Sequence, residues 1–234
     1  MNDTLLSQVA WIGDEYVSGP IRGVILRFPG LGATGLVGGA DPMEMEWGQA
    51  GGLVVTPYQD PWGWMNPATR AFTDELVEGV FARYGLGADT PVIATGGSMG
   101  GHGALLYTIL AARPVAACAA NCPVCDLPFH YMERPDLPRT MHHAFGSYGD
   151  ISDALIAHSP LHQADKMPDV PYLIIHGDED RAVGKAQHSD KLVAALKARA
   201  LSVDYREQAG MGHCGPFDWT LQRRMTEFVL ERLR

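Results

Sequence analysis

The feature that most constrains this sequence is the stretch VIATGGSMGGHGALLY at residues 92–107. It predicts a short apolar strand over 92–95, a serine framed by glycines, and a helix that begins directly afterwards. The pentapeptide at 96–100 matches G-x-S-x-G around Ser98. A nucleophilic serine stands on a tight turn between strand and helix, where glycines two residues to either side leave room for the backbone. The stretch therefore favours a nucleophile, although a glycine-rich turn with an incidental serine fits the same letters.

Composition sets the outer bounds of the fold and its partners. The chain has 234 residues, of which 46% are hydrophobic, so we expect one domain over 1–234 with a single large core. Its formal net charge is −9 and it has no basic run, which argues against nucleic acid and anionic membranes as partners.

The sequence also indicates where in the cell the protein is expected. No stretch approaches about 18 consecutive apolar residues, and the first residues lack a cationic segment followed by an apolar one, so neither a membrane span nor a signal peptide is expected. Four cysteines are too few for a disulfide framework. The sequence therefore favours a cytoplasmic protein with reduced thiols.

Apolar strands alternate with helices along the chain. We predict strands over 23–28, 52–57, 92–95, 115–121, 171–176 and 202–207, and a weaker strand or hairpin over 9–17. Helices are predicted over 68–84, 100–111, 185–200 and 217–233. This alternation indicates an α/β fold, with a mostly parallel central sheet and helices on both faces. Because active residues gather at the carboxyl ends of such strands, the loops at 28–32 and 58–66 should share one rim with Ser98.

Two loops near the C-terminus offer an acid and a base. HGDED at 176–180 follows the clearest strand, and MGHCG at 211–215 follows the last one. A serine hydroxyl needs a base to remove its proton, and the base needs an acid to orient it. The chain order of serine, acid and histidine is that of α/β-hydrolases rather than of chymotrypsin or subtilisin.

On these three motifs the sequence resembles an α/β-hydrolase from residue 23 to its end. The elbow GGSMGG resembles the prolyl oligopeptidase-like branch, and SMGGHGAL is similar to esterase D-type carboxylesterases. The resemblance implies the α/β-hydrolase fold, Ser98 as the nucleophile and His213 as the base.

The family pattern H-G-x-x-D matches residues 176–180, which implies Asp180 as the acid. Asp178 and Glu179 are near rivals. The remaining histidines show no metal-ligand spacing with cysteine or carboxylate pairs, so neither a metal nor an organic cofactor is expected.

The developing oxyanion needs two N–H donors that are already in place. One is expected from the backbone of Met99, directly after the nucleophile. The resemblance implies a second donor from the loop FPGLG at 28–32, where Pro29 replaces the histidine that the family often has. Leu31 is the expected donor and Gly30 its rival.

An aromatic loop at 58–66 is the first candidate for substrate binding. Its rings at Tyr58, Trp62 and Trp64 follow a strand, where they could stack on a sugar or an aromatic acyl group. The alternative is that these rings only cover the edge of the sheet.

The second candidate is a cap-like insertion at 122–160, which contains His130 and Tyr131. A connection of this length is more often functional than decorative. It opens with CPVC at 122–125, and a lone C-x-x-C without a second pair is weak evidence for zinc, so both cysteines are interpreted as structural or merely buried.

These observations predict a serine hydrolase that cleaves small-molecule carboxylic esters, with small, sugar or aromatic acyl groups, through an acyl-enzyme. The alternative keeps the mechanism but acts on short peptides, as a prolyl oligopeptidase-like peptidase would. Such peptidases usually add a propeller domain, for which we expect no room in 234 residues. A catalytically silent binding module on the same fold is the third hypothesis. The sequence leaves a homodimer open.

Overall fold

The computed structural model describes residues 1 and 3–234 and contains a seven-stranded sheet with helices on both faces. The strands in chain order are β1 (Ala10–Ile12), β2 (Gly23–Phe28), β3 (Gly52–Pro57), β4 (Val92–Gly97), β5 (Val115–Asn121), β6 (Tyr172–Gly177) and β7 (Val203–Gln208). Their order across the sheet is β1-β3-β2-β4-β5-β6-β7. β1 runs antiparallel to β3, and all other neighbours are parallel. The predicted mostly parallel α/β sheet is confirmed.

Helices connect the strands and cover the sheet. They are α1 (Asp3–Val9), α2 (Pro42–Gln49), α3 (Pro67–Tyr84), α4 (Met99–Leu110), α5 (Leu127–Glu133), α6 (Leu137–Phe145), α7 (Ile151–Ala157), α8 (Ser189–Ala198) and α9 (Trp219–Leu230). Within the described residues, none of these helices has the length and apolar character that crossing a bilayer requires.

Successive residues of the inner strands face opposite sides of the sheet, and both sides are buried. In β2, Val24 and Leu26 pack in the layer formed by α3, α4 and α8, whereas Ile25 packs with α2 and α9. In β6, Ile174 and Ile175 divide between the same two layers. This burial on both faces explains why the strands read as continuous apolar runs in the sequence.

Two helices and one strand differ from the sequence-based prediction. In the region 9–17, α1 ends at Val9, the short β1 follows, and a 3₁₀ helix spans Asp14–Tyr16, so the strand is shorter than expected and no hairpin forms. α2 was not predicted at all, yet it carries a capping box in which Asp41 and Glu44 satisfy each other's backbone N–H groups, with Pro42 in the first turn. That D-P-x-E pattern was the signal that could have located it.

The insertion at 122–160 folds into α5, α6 and α7, which pack against one another beside the elbow. Their apolar side chains form a cluster with Met99 and Trp64. The Trp64 indole N–H also donates to Thr140 Oγ1 at 3.0 Å, which ties the aromatic loop to α6. The insertion therefore forms one wall of the region around the predicted nucleophile.

The parallel core gives a direct stability test. Ile174 in β6 is fully buried, whereas Ile156 in α7 is 46% exposed. We expect Ile174→Ala to lower the free energy of unfolding by about 2–5 kcal/mol, because it removes buried methyl groups and leaves a cavity. The matched Ile156→Ala should change it by less than about 0.5 kcal/mol. Urea unfolding monitored by circular dichroism measures both, and equal losses would contradict the assigned burial.

Candidate active site

Ser98 occupies a strained turn between β4 and α4. Its φ is 58° and its ψ −125°, a backbone conformation that side chains rarely adopt. Glycine is required on both sides, because a Cβ at Gly96 would collide with the backbone of Gly100, and a Cβ at Gly100 would collide with the carbonyl of Phe28. The Ser98 N–H donates to the carbonyl of Asn121 at 2.9 Å. The turn is therefore fixed by close backbone packing and by a bond to the neighbouring strand.

Three side chains from distant parts of the chain form a hydrogen-bonded chain at this turn. His213 Nε2 lies 2.9 Å from Ser98 Oγ, and His213 Nδ1 lies 2.7 Å from Asp180 Oδ2. Because a carboxylate accepts only, Nδ1 carries a proton, and in the neutral imidazole Nε2 accepts from the serine hydroxyl. This is the tautomer in which the imidazole can remove the serine proton.

Asp180 is the acidic residue of its loop that reaches His213. Its Oδ1 accepts the N–H groups of Ala182 and Val183, each at 2.9 Å. By contrast, Asp178 is exposed and accepts the N–H of Gly210 at 2.6 Å. The structure thus identifies Asp180, rather than Asp178, as the hydrogen-bond partner of the imidazole.

His176 is a further partner of Asp180. Its Nε2 lies 3.2 Å from Asp180 Oδ2 and 3.0 Å from the carbonyl of Val183, while its Nδ1 lies 2.6 Å from Ser189 Oγ. Burial opposes ionisation of Asp180, but hydrogen bonds from His176, His213 and the backbone outweigh it and hold the pKa of Asp180 well below its usual range. The acid is therefore ionised beside His213.

The same surroundings shift the base in the opposite direction. Burial disfavours a charge on His213, but Asp180 and the sulfur of Cys122 stabilise the imidazolium and raise the pKa of His213 to about 9. A hydrogen bond from Cys214 is the main cause that lowers the pKa of Cys122. His213 is consequently a stronger base than a free imidazole.

N–H groups suited to an oxyanion lie beside Ser98. Met99 is the first residue of α4, so its N–H has no acceptor within the helix and lies at the positive end of the helix dipole. In the described part of the chain, the N–H groups of Met99, Leu31 and Gly30 all lack a protein acceptor. Both Gly30 and Leu31 line the cavity that contains Ser98, so the geometry leaves the two candidates for the second donor open.

Two adjoining cavities flank the elbow. The first has a volume of about 480 Å³ and contains the serine and the imidazole, and its lining is Gly30, Leu31, Trp64, Gly97, Ser98, His130, Arg134, Val183, His213 and Cys214. The second, of about 710 Å³, lies beneath the loop that follows β2, between α2 and α9. The two cavities share Gly30, Gly97 and Cys214. We name them the catalytic cavity and the side cavity.

Three of the five predicted substrate-binding residues line these cavities, and the other two lie outside them. Trp64 and His130 line the catalytic cavity, and Tyr58 lines the side cavity. Trp62 and Tyr131 line neither. Trp62 instead packs against His143 and Arg139, and Tyr131 bonds to His142, because these side chains lie over the outer surface of α6.

Sequence reasoning missed three residues of the catalytic cavity. Cys214 is the residue after His213, and Val183 lies three residues after Asp180. Their nearness to these two motifs was a usable signal. Arg134 lies between α5 and α6, and nothing in the sequence pattern marked it.

Three groups of side chains have the spacing of metal ligands. They are Cys122–His213–Cys214, Cys122–His176–Asp180 and His130–Glu133–His188, with donor atoms within 4.8 Å of one another. Both ring nitrogens of His213, His176 and His188 already take part in hydrogen bonds within the protein. A nitrogen in such a bond must give it up to bind a metal. The described residues therefore fit hydrogen-bond networks better than a metal centre.

Solved structures with the same fold include peptidases and esterases. A puromycin-hydrolysing peptidase from Mycobacterium tuberculosis has a TM-score of 0.74 and 17% identity, over 92% of this chain and 34% of that one. A truncated carbohydrate esterase from gut microbiota has a TM-score of 0.68 and 16% identity, over 96% of each chain. Esterase PE8 has a TM-score of 0.62 and 18% identity, over 92% of this chain and 94% of that one. The chain thus spans about a third of the peptidase it matches.

Sequence comparison is more specific than the likeness of folds. A comparison with curated proteins gave no match. The model of the prolyl oligopeptidase family matches residues 73–234, a range that includes Ser98, Asp180 and His213. This chain therefore belongs to the prolyl oligopeptidase family and has the α/β-hydrolase fold of a serine hydrolase.

Proposed function

We propose that this chain is a serine hydrolase that cleaves carboxylic esters through an acyl-enzyme intermediate. The observation that carries the proposal is the unbroken hydrogen-bonded chain from Ser98 through His213 to Asp180, at a strained turn. In this proposal Ser98 attacks the ester carbonyl while His213 Nε2 takes its proton. Asp180 keeps the imidazole in the required tautomer and stabilises the imidazolium.

The tetrahedral intermediate that forms next carries a negative oxygen. We assign its stabilisation to the N–H of Met99, with Leu31 or Gly30 supplying the second donor. His213 then gives the proton to the departing alcohol. A water activated by His213 Nε2 attacks the acyl-enzyme in the same manner and releases the acid.

The position of the site supports esters of small molecules as substrates. Ser98 follows β4, and both edges of β4 are paired, with β2 and β5. The nucleophile therefore lies at the centre of the sheet, next to Gly97, which lines both cavities. The catalytic cavity and the side cavity offer two adjoining, partly open spaces, suited to the groups on either side of an ester bond.

Short peptides are the second candidate substrate class. The family match and the resemblance to peptidases favour them, including an acylaminoacyl peptidase from Pyrococcus horikoshii with a TM-score of 0.73 and 16% identity. A catalytically silent binding module is less well supported. A strained residue costs on the order of 1–3 kcal/mol, and a binding role gives no reason to keep that strain at Ser98.

A substrate panel tests the proposal. We expect turnover of nitrophenyl acetate, butyrate and feruloyl esters, and far slower turnover of matched aminoacyl anilides. Ser98→Ala should lower kcat on the esters by about 10⁶-fold, since it removes the nucleophile. Comparable turnover of the anilides would favour the peptidase alternative. Full ester turnover by Ser98→Ala would show that Ser98 is not the nucleophile.

The assignment of the acid has a matched control. We expect Asp180→Asn to reduce kcat by about 10⁴-fold, because the amide favours the wrong tautomer of His213. Asp178→Asn keeps the acceptor for the N–H of Gly210 and should leave kcat close to the wild-type value. Ester turnover by the two purified variants, with circular dichroism as the check on folding, decides between them. The opposite ranking would transfer the role to Asp178.

The pH dependence follows from the base, which is active only when neutral. Because the pKa of His213 is raised to about 9, kcat/KM for esters should increase from neutral pH until that pKa is passed. Cys122→Ala removes one group that stabilises the imidazolium, so the inflection should move to lower pH. Initial rates across the pH range measure both profiles. A wild-type inflection at or below the ordinary histidine value of 6.5 would contradict the assigned surroundings.

A further inference from the structure

A second histidine lines the catalytic cavity together with the proposed nucleophile. His130 is 2% exposed and lines the cavity that contains Ser98. Its Nδ1 lies 2.6 Å from Glu133 Oε2. Its Nε2 has no hydrogen-bond partner among the described residues. This nitrogen is not fully buried, so a molecule in the cavity can reach it. Nε2 is therefore the atom that His130 offers to the cavity.

The hydrogen bonds around His188 determine where its proton lies. The N–H groups of Cys125 and Asp126 both donate to His188 Nδ1, at 3.0 and 3.1 Å. Nδ1 is therefore the bare nitrogen, and the proton is on Nε2, which lies 3.2 Å from Glu133 Oε2. His188 is thus a fixed donor to Glu133.

Glu133 collects three donors and stays ionised. The N–H of Gly184 donates to Oε1 at 3.0 Å, while His188 and His130 donate to Oε2. Burial opposes the charge, but these bonds outweigh it and hold the pKa of Glu133 well below its usual range. A carboxylate that only accepts places the proton of His130 on Nδ1.

In the neutral imidazole of His130 the lone pair is on Nε2, the atom that meets the cavity. Burial is the main cause that lowers the pKa of His130. With the proton on Nδ1, Nε2 can only accept a hydrogen bond. Glu133 and His188 therefore hold an acceptor at a fixed position in the cavity that contains the proposed nucleophile.

The charges of the cavity select the kind of donor. Arg134 and His213 line the same cavity, and each is already paired with a carboxylate: Arg134 with both oxygens of Asp136, and His213 with Asp180. No carboxylate is among the described residues that line the cavity, so a substrate ammonium would find no free counter-charge there. An uncharged hydroxyl needs no counter-charge. Leu31 and Trp64 supply apolar surface for the carbon atoms that carry the hydroxyl.

We infer that His130 Nε2 accepts a hydrogen bond from a hydroxyl group of the substrate, and that Glu133 and His188 are positioning residues for it. The inference rests on the proposed ester hydrolysis and narrows its substrates to esters with a hydroxyl near the scissile bond. Such a hydroxyl can belong to a hydroxy acid or to a polyol or sugar alcohol. Both present the same donor to Nε2.

Matched pairs of esters test the inference. The acyl arm compares nitrophenyl 3-hydroxybutyrate with nitrophenyl butyrate, and the alcohol arm compares glyceryl butyrate with propyl butyrate. A neutral hydrogen bond changes kcat/KM by roughly tenfold, so the wild type should favour the hydroxylated member of at least one pair by about that factor. The arm with the preference identifies which side of the ester enters the catalytic cavity.

Variants separate recognition from folding. His130→Phe should reduce the hydroxyl preference to about 1, whereas His142→Phe, the same change at an exposed position of α6, should keep it. Glu133→Gln should also lower the preference by roughly threefold or more, because its amide N–H groups face the donors that Glu133 accepts. A merely structural role would lower turnover of both members of a pair equally and leave their ratio unchanged.

Two outcomes overturn the inference while the proposed function stands. They are equal turnover of both members in both arms by the wild type, and a hydroxyl preference that survives in His130→Phe. Failure of the proposed function looks different, since no ester in either arm would be turned over. A fluorophosphonate adduct on the wild type that is absent from Ser98→Ala, weighed by intact mass spectrometry, separates the two kinds of failure.

Discussion

The close backbone packing around Ser98 is the constraint on which the rest of the site depends. Two glycines let β4, α4 and the loop after β2 approach one another until no Cβ fits between them. This packing holds the serine in a conformation that it would not adopt in an unstrained chain. It also places the hydroxyl within reach of His213 and directs the first N–H of α4 toward the same point. The large parallel core beneath β4 supplies the rigidity that maintains this strain.

Two histidine–carboxylate pairs lie around one cavity, and their surroundings give them opposite properties. His213 is partly exposed, and its pKa is raised beside Asp180 and a nearby sulfur, which suits a proton acceptor. His130 is more deeply buried, and burial outweighs the effect of Glu133, so its pKa is lowered. In each pair the carboxylate fixes the proton on Nδ1. The same pair of residue types thus gives one imidazole a raised pKa and the other a lowered pKa.

Much of the fold could be predicted because its signals are local. The apolar runs of β2 to β6 lie within single segments, and α3 shows its buried face at helical spacing. The misses also have physical reasons. α2 is short and has little apolar periodicity, so its capping residues were its main signal. For the aromatic loop, the sequence identified the rings but not their orientation. In the structure Trp62 packs against His143 of α6, whereas Trp64 lines the catalytic cavity.

The sequence by itself determined the elbow, the order of serine, acid and histidine, and the parallel sheet, because strand periodicity and glycine sterics act over a few residues. The family pattern implied Asp180 as the acid, but only the tertiary structure showed that its side chain meets His213 while that of Asp178 binds the Gly210 N–H, since neighbouring residues of a loop differ in where the backbone directs them. The tertiary structure alone also joined Glu133 to His188, which are 55 residues apart. Contacts between such distant segments depend on how helices and strands pack, and no local pattern encodes that packing.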